Sequence, residues 1–274
     1  MTHAFWPALA FAGAFATIAA FDLDRRISHA WFYDIASGTW SGQGAGAWWA
    51  RDLSHTAGRW FVRLVAFVAL LVWLMTFRAP RLRRFRRQAA YALLALLIST
   101  VFVGSLKAIT NVDCPWDLAE FGGDRPFVEL LANRPDWLPR AACFPGAHAS
   151  SGYALMFGYF LLRESSRRAG RLALIAGAGL GLLFSLAQEA RGAHFVSHDL
   201  ASAAIVWFVQ LLLYRVMLAS HMSATDDAAP RRLTRHVYDD CPSVPVVRPR
   251  RAGAFLRRDG DGSRSDAAER ELAQ

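Results

Sequence analysis

Three short stretches of this 274-residue chain concentrate side chains that can move protons or hold anions. The first runs from Lys107 to Asp117 and carries Asp113, Cys114 and Pro115. The second, Phe144-Pro145-Gly146-Ala147-His148, opens a run of small and apolar residues. The third, Gln188 to Asp199, holds Arg191, His194, His198 and Asp199. An imidazole titrates near neutral pH and can serve as nucleophile, acid or base. Lysine and arginine hold phosphate oxygens, and a glycine at a helix start lets an anion approach free backbone N–H groups. Lys107 is the only lysine in the chain, every other basic residue being arginine; a compact ammonium suits phosphate as a point charge. Each stretch also has a plain structural reading. Lys107 can snorkel to the membrane edge, Ser150 or Ser151 can cap an ordinary helix, and the third stretch can pack at the interface.

The elements that must position these residues are membrane helices. Hydrophobic residues make up 54% of the chain and fall in uninterrupted blocks, which excludes a disordered chain and disfavours a soluble two-domain protein. Six blocks are candidates for crossing ~30 Å of hydrocarbon: Ala4–Phe21, Trp60–Phe77, Ala89–Leu106, Ala149–Leu162, Leu172–Ala187 and Leu200–Leu218. The expected fold is therefore an all-α, polytopic bundle of six transmembrane helices over residues 1–218, followed by a disordered tail over 219–274. The first block lacks a basic flank and reads as a retained anchor rather than a cleaved signal. Gly177, Gly179 and Gly181 favour close helix packing in the fifth block.

Charge orients the bundle. The connection Arg78–Gln88 has six arginines and no acid, and Arg163–Arg171 has four arginines and Glu164; together they account for the formal +9. With six spans both connections share the side of the two termini, so the positive-inside rule makes that side cytoplasmic. The expected location is the cell inner membrane, with the three reactive stretches converging on the periplasmic face. Nucleic acid is excluded as a partner, because topology accounts for the charge excess. The outward segment Asp22–Arg59 carries Trp31, Trp40, Trp48 and Trp49 and reads as an interfacial helix and loop at headgroup level.

These spacings resemble the type 2 phosphatidic acid phosphatase family, whose fold is shared with vanadium haloperoxidases. The family pattern is Lys, six residues, Arg-Pro; then Pro-Ser-Gly-His; then Ser-Arg, five residues, His, three residues, Asp. Here Lys107 precedes Cys114-Pro115 at the matching distance, and Pro145-Gly146-Ala147-His148 matches at its ends, with Gly146 at the family's serine. Gln188 stands at the family's second arginine with Arg191 one turn later, and His198 stands at the family's aspartate with Asp199 beside it.

The resemblance implies a membrane lipid phosphatase working through a phosphohistidine, without metal or cofactor. His194 would be the nucleophile and His148 the general acid. Asp199, or alternatively His198, would orient His194. Lys107 and Arg191, with the backbone N–H groups of Gly146 and Ala147, would grip the phosphate. The expected partners are a lipid phosphate or diphosphate and membrane lipids. Alternatives at this stage are a phosphotransferase using the same intermediate, an inactive scaffold, and a zinc set of His148, His194, His198 and Asp199. Cys114 and Cys143 both fall outside the membrane on the outward side, where an oxidising exterior would permit a disulfide.

Overall fold

The computed structural model describes residues 2–130 and 132–219. About 75% of them are helical. Five helices are long and apolar enough to cross a membrane among the described residues: α1 (Thr2–Ala20), α3 (Gly58–Arg78), α4 (Arg86–Thr110), α7 (Arg167–Ala190) and α8 (Val196–Tyr214), the α4 and α8 runs being extended by short turns at their ends. A short helix, α2 (Leu23–Ile27), follows α1. The tail expected to be disordered lies, apart from Ala219, outside the described residues.

The fourth apolar block folds differently from the other five. It forms α5 (Ala147–Tyr153), a 3-10 turn (Ala154–Met156) and α6 (Phe157–Leu162), a run of seven, three and six residues. That run is shorter than the about 20 residues needed to span hydrocarbon alone. It is instead packed into the bundle, with Ala149, Ser150, Ala154 and Phe160 almost wholly buried. Glycines of α7 make this packing possible. A Cβ on Gly181 would fall 2.1 Å from Cδ1 of Tyr153, and one on Gly177 would fall 2.6 Å from the Met156 nitrogen. Gly152 of α5 meets the Gly181 backbone in the same way. The expectation for close packing holds for Gly177 and Gly181, one turn apart; Gly179 points into open space.

The two ends of the bundle differ in chemistry. At one end the chain's start meets the arginine-rich connection after α6 through Arg163 Nη1 and His3 Nε2; the same His3 nitrogen lies 2.7 Å from the Tyr159 hydroxyl, and Trp207 Nε1 donates to the His3 carbonyl at 3.0 Å. Arg86, from the other basic connection, stacks 4.1 Å over Phe77. At the opposite end lie the last turn of α4, the start of α5 and the α7–α8 connection. These carry the three reactive stretches.

Segments outside the bundle lock that second end. After α2 the chain forms a two-residue hairpin, β1 (Tyr33–Asp34) antiparallel to β2 (Thr39–Trp40), turned by Gly38 with φ 65°. Trp31 and Trp48 are exposed, as headgroup tryptophans would be, but Trp40 is only 3% exposed and corrects that expectation. It packs against Phe121 with ring centroids 5.0 Å apart, beside Leu118 and Phe195. Gly192, at φ 75°, passes beneath its indole, where any Cβ would sit 2.3 Å from the ring. Between α4 and α5, Asp113 accepts from Arg125 Nη1 at 2.6 Å and from Arg134 Nη2 at 2.9 Å. The structure pairs Cys114 with Cys143 in a disulfide, Cα atoms 5.2 Å apart.

The α5–α7 seam generates a test. Gly181→Leu should lower stability by about 1–3 kcal/mol, the usual cost of forcing extra atoms into a packed contact, whereas Gly179→Leu should leave it nearly unchanged. Thermal unfolding of both variants in detergent would check the contrast; equal shifts would refute it.

Candidate active site

Each reactive side chain is delivered by a helix end. Lys107 sits in the last turn of α4, His148 in the first turn of α5, Arg191 and His194 in the connection after α7, and Asp199 in the first turn of α8. Backbone bonds clamp the α5 start onto α8: the Gly146 N–H donates to the His198 carbonyl at 3.0 Å, and Ser202 Oγ donates to the Gly146 carbonyl at 2.9 Å. The α8 start is held in turn by Asp24, whose Oδ1 accepts from the Ser197 N–H at 2.9 Å.

These ends surround a cavity of about 630 Å³. Lys107, Ala147, His148, Arg191 and His194 all line it, so five of the expected residues converge. Arg191 Nη1 donates to Gln188 Oε1 at 3.3 Å, which brings its guanidinium back over the turn where the family pattern places an arginine. The His148 ring stacks on Phe184, centroids 4.7 Å apart. Burial and the nearby charges of Arg51 and Arg59 push the Arg191 guanidinium below its ordinary value.

His194 and Asp199 form the buried core of the site. His194 Nδ1 lies 2.7 Å from Asp199 Oδ1, and the two residues are 3% and 2% exposed. Burial, reinforced by the charges of Lys107 and Arg191, pushes the His194 imidazole down to about 3. A neutral ring that donates from Nδ1 to the carboxylate keeps its lone pair on Nε2, the form a nucleophile requires.

His198 is not the orienting group, which corrects the alternative assignment. It stands three residues into α8, and one further residue, about 100° of helical turn, separates it from Asp199. Its ring faces Phe144 and Phe195, with centroids 5.5 and 5.4 Å away, and it hydrogen-bonds to the Cys143 backbone instead. Because His198 is turned away and His194 is bonded to Asp199, the zinc set is not assembled; among the described residues no group of three or more His, Cys, Asp or Glu could hold a metal ion. A second correction concerns Gly146. Its N–H is already given to His198, so of the two expected backbone donors only Ala147 faces the cavity.

What Gly146 does contribute is space. A Cβ there would lie 2.0 Å from Asp199 Oδ1 and 2.8 Å from His194 Nδ1. The carboxylate thus occupies the volume that any side chain at position 146 would need. Glycine where the family pattern has serine thus leaves room for the aspartate that stands one place later. Sequence reasoning passed over Arg59 and Arg63, which also line the cavity. Their spacing of four residues at the entry to a span, one face of a helix, was the available signal.

A helical membrane protein presenting a neutral histidine, held by a carboxylate, to a cationic cavity has the architecture of a phosphoryl-transfer enzyme. Residues 88–222 match the family model of the PAP2 superfamily, which is consistent with a type 2 phosphatidic acid phosphatase. Its members are phosphatases, which supports a phosphoric ester hydrolase. No curated protein and no solved structure matches the chain.

Two outcomes follow from the His194–Asp199 pair. In spectra of ¹⁵N-histidine-labelled protein, His194 should keep the neutral-imidazole signature from pH 8 to pH 5, because its titration lies far below the ordinary value near ~6.5; a transition centred near 6.5 would contradict the burial argument. Gly146→Ala should displace the carboxylate and reduce phosphate release on the order of 10²-fold, the scale of a small misplacement of a catalytic group. Unchanged turnover in a folded variant would show that the carboxylate does not orient the ring.

Proposed function

We propose that this protein hydrolyses a lipid phosphate or diphosphate through a phosphohistidine on His194. The observation that carries this reading is the neutral His194 ring, bonded to Asp199 and lining a cavity that also receives Lys107, Arg191 and His148. Apolar residues of α3 and α4, Val62, Ala66, Leu96 and Leu97, line the same cavity and suit a lipid tail.

His194 Nε2 attacks phosphorus while the bond to the leaving oxygen breaks. His148 gives its proton to that oxygen, and the Nδ1 proton of His194 stays on its hydrogen bond to Asp199. Lys107 and Arg191 hold the phosphoryl oxygens as negative charge builds, aided by the Ala147 N–H. Water, deprotonated by His148, then attacks the phosphohistidine; the N–P bond breaks, its electron pair returns to Nε2 and inorganic phosphate leaves. The reaction needs no metal in this scheme, since the cations carry the developing charge. The proposed setting is the inner membrane, with six crossings, the α5–α6 run being the additional one, both termini cytoplasmic and the site periplasmic. The charge of the two arginine-rich connections supports that orientation.

Purified protein should release phosphate from a panel of lipid phosphates and diphosphates, unaffected by chelator. His148→Ala should slow release on the order of 10²- to 10⁴-fold, the contribution of a positioned acid–base group, and His194→Ala should abolish it. Activity surviving both substitutions would sink the mechanism. Labelled phosphate appearing on a second lipid rather than in water would identify a transferase.

A further inference from the structure

Asp199 uses only one of its two oxygens. Oδ1 faces His194 Nδ1 at 2.7 Å, whereas Oδ2 is buried and meets no hydrogen-bond donor among the described residues. A carboxylate oxygen left bare in a dry interior is costly, and an exception of that kind calls for a cause. The charges around it do not remove the cost. Lys107 of α4 is the cation whose field reaches the carboxylate, but Glu189 of α7 and Asp24 of α2 are acids within range of it.

The hydroxyl beside that oxygen is committed elsewhere. Ser185 of α7 is 2% exposed and lies within reach of Asp199, yet its Oγ donates to the Gly181 carbonyl at 3.0 Å. The helix already supplies that carbonyl with the Ser185 backbone N–H, so the hydroxyl bond is redundant. Serine has one hydroxyl proton, so in the contact of 3.2 Å between Tyr153 Oη and Ser185 Oγ the tyrosine is the donor. The glycine seam puts Tyr153 there, its ring lying on Gly181 one turn before Ser185. Thus α5, α7 and α8 each give one residue to a row, Tyr153, Ser185 and Asp199, that ends on His194. Neither hydroxyl residue lines the cavity.

We propose that Ser185 is a positioning residue whose hydroxyl swings from the Gly181 carbonyl to Asp199 Oδ2 as His194 takes on charge, with Tyr153 holding the serine oxygen in place. This rests on the reading of His194 as nucleophile and adds two residues to it. In the resting site the imidazole is neutral and Asp199 needs to accept only one bond. Attack through Nε2 leaves the phosphorylated ring cationic with its Nδ1 proton on Oδ1, so the carboxylate has to stay ionised beside it. A hydroxyl given to Oδ2 stabilises that ionised form where water is excluded. No proton leaves either hydroxyl and no covalent bond changes in the swing. Hydrolysis of the phosphohistidine returns the ring to neutrality and the serine proton to Gly181.

Phosphoramidate, a small phosphoryl donor that needs no lipid site, isolates this step. Full-length protein in lipid nanodiscs treated with it should form phosphohistidine at His194, read by peptide mass mapping, with His194→Ala as the blank. Ser185→Ala should form it roughly 10- to 100-fold more slowly, the scale of one hydrogen bond to a charged group. Tyr153→Phe should slow it less, and Ser185→Thr, which keeps the hydroxyl, should recover most of the rate. Ser99→Ala, which removes a buried hydroxyl of α4 away from the cavity, should not slow it. The ¹⁵N signals of resting His194 should be the same in Ser185→Ala as in wild type, which a collapsed site would not allow. With a lipid phosphate, kcat should fall by the same factor while KM holds. Equal rates in Ser185→Ala and wild type, a slow rate accompanied by altered resting signals, or a threonine variant of wild-type stability that stays slow would overturn the positioning role. Serine-dependent phosphohistidine without phosphate release from any lipid would keep that role and reject the lipid phosphatase reading; no phosphohistidine in wild type would overturn both.

Discussion

A carboxylate buried against an imidazole is the contact on which the rest of the site depends. Neither group is stable alone in a dry interior, because each needs a partner to offset the lost hydration. Asp199 supplies that partner for His194, and its approach is possible only because position 146 has no side chain. The α5 start must then lie flush against α8, which the Gly146 and Ser202 bonds secure. That contact sets where His148 enters the cavity. The glycine faces of α7 continue the same demand along the membrane, since α5 cannot reach α8 unless it also lies close to Gly177 and Gly181.

Much of this was legible in the residues before any coordinates. Apolar blocks gave the five long helices within a few residues of their ends, because helix length in lipid is fixed by backbone hydrogen bonding rather than by subtle packing. The order and spacing of Lys107, His148, Arg191 and His194 were enough to bring them to one end of the bundle and, as it turns out, to one cavity. What could not be read was rotation. Whether Asp199 or His198 meets His194 depends on the residue at which α8 begins, and a shift of one position turns the helix by about 100°. Nor could the sequence separate Trp40 from Trp31 and Trp48, because burial of the first depends on Phe121 and Phe195, distant in the chain. Fourth-block shortness was visible as a count, but its physical basis, a seam of glycine against backbone, was not.

Positive charge does two jobs in this protein, and they occupy opposite ends. Arginines 78–87 and 163–171 sit in two connections, the second touching the start of the chain through Arg163 and His3, and none of them lines the cavity. The cavity cations are few and come from three elements, α3, α4 and the connection after α7. A compositional excess of +9 would point to the first set alone, since the second is balanced elsewhere by acids such as Asp113, which two arginines hold in the strap between α4 and α5. Local arrangement, not net charge, distinguishes an anchor from a binding site.

The position of Trp40 bears on how far the matched segment is a separable unit. The connection that carries Arg191 and His194 is covered from outside by the β2 tryptophan, and the first turn of α8 is tied to Asp24. Both come from chain preceding residue 88, as do the arginines of α3. A fragment cut at the boundary of the family match would uncover Gly192, Phe121 and Phe195 together and release an N–H at the start of α8. The minimal autonomous enzyme is therefore larger than its recognisable motif core, and grafting the motifs onto another bundle would have to bring the hairpin along.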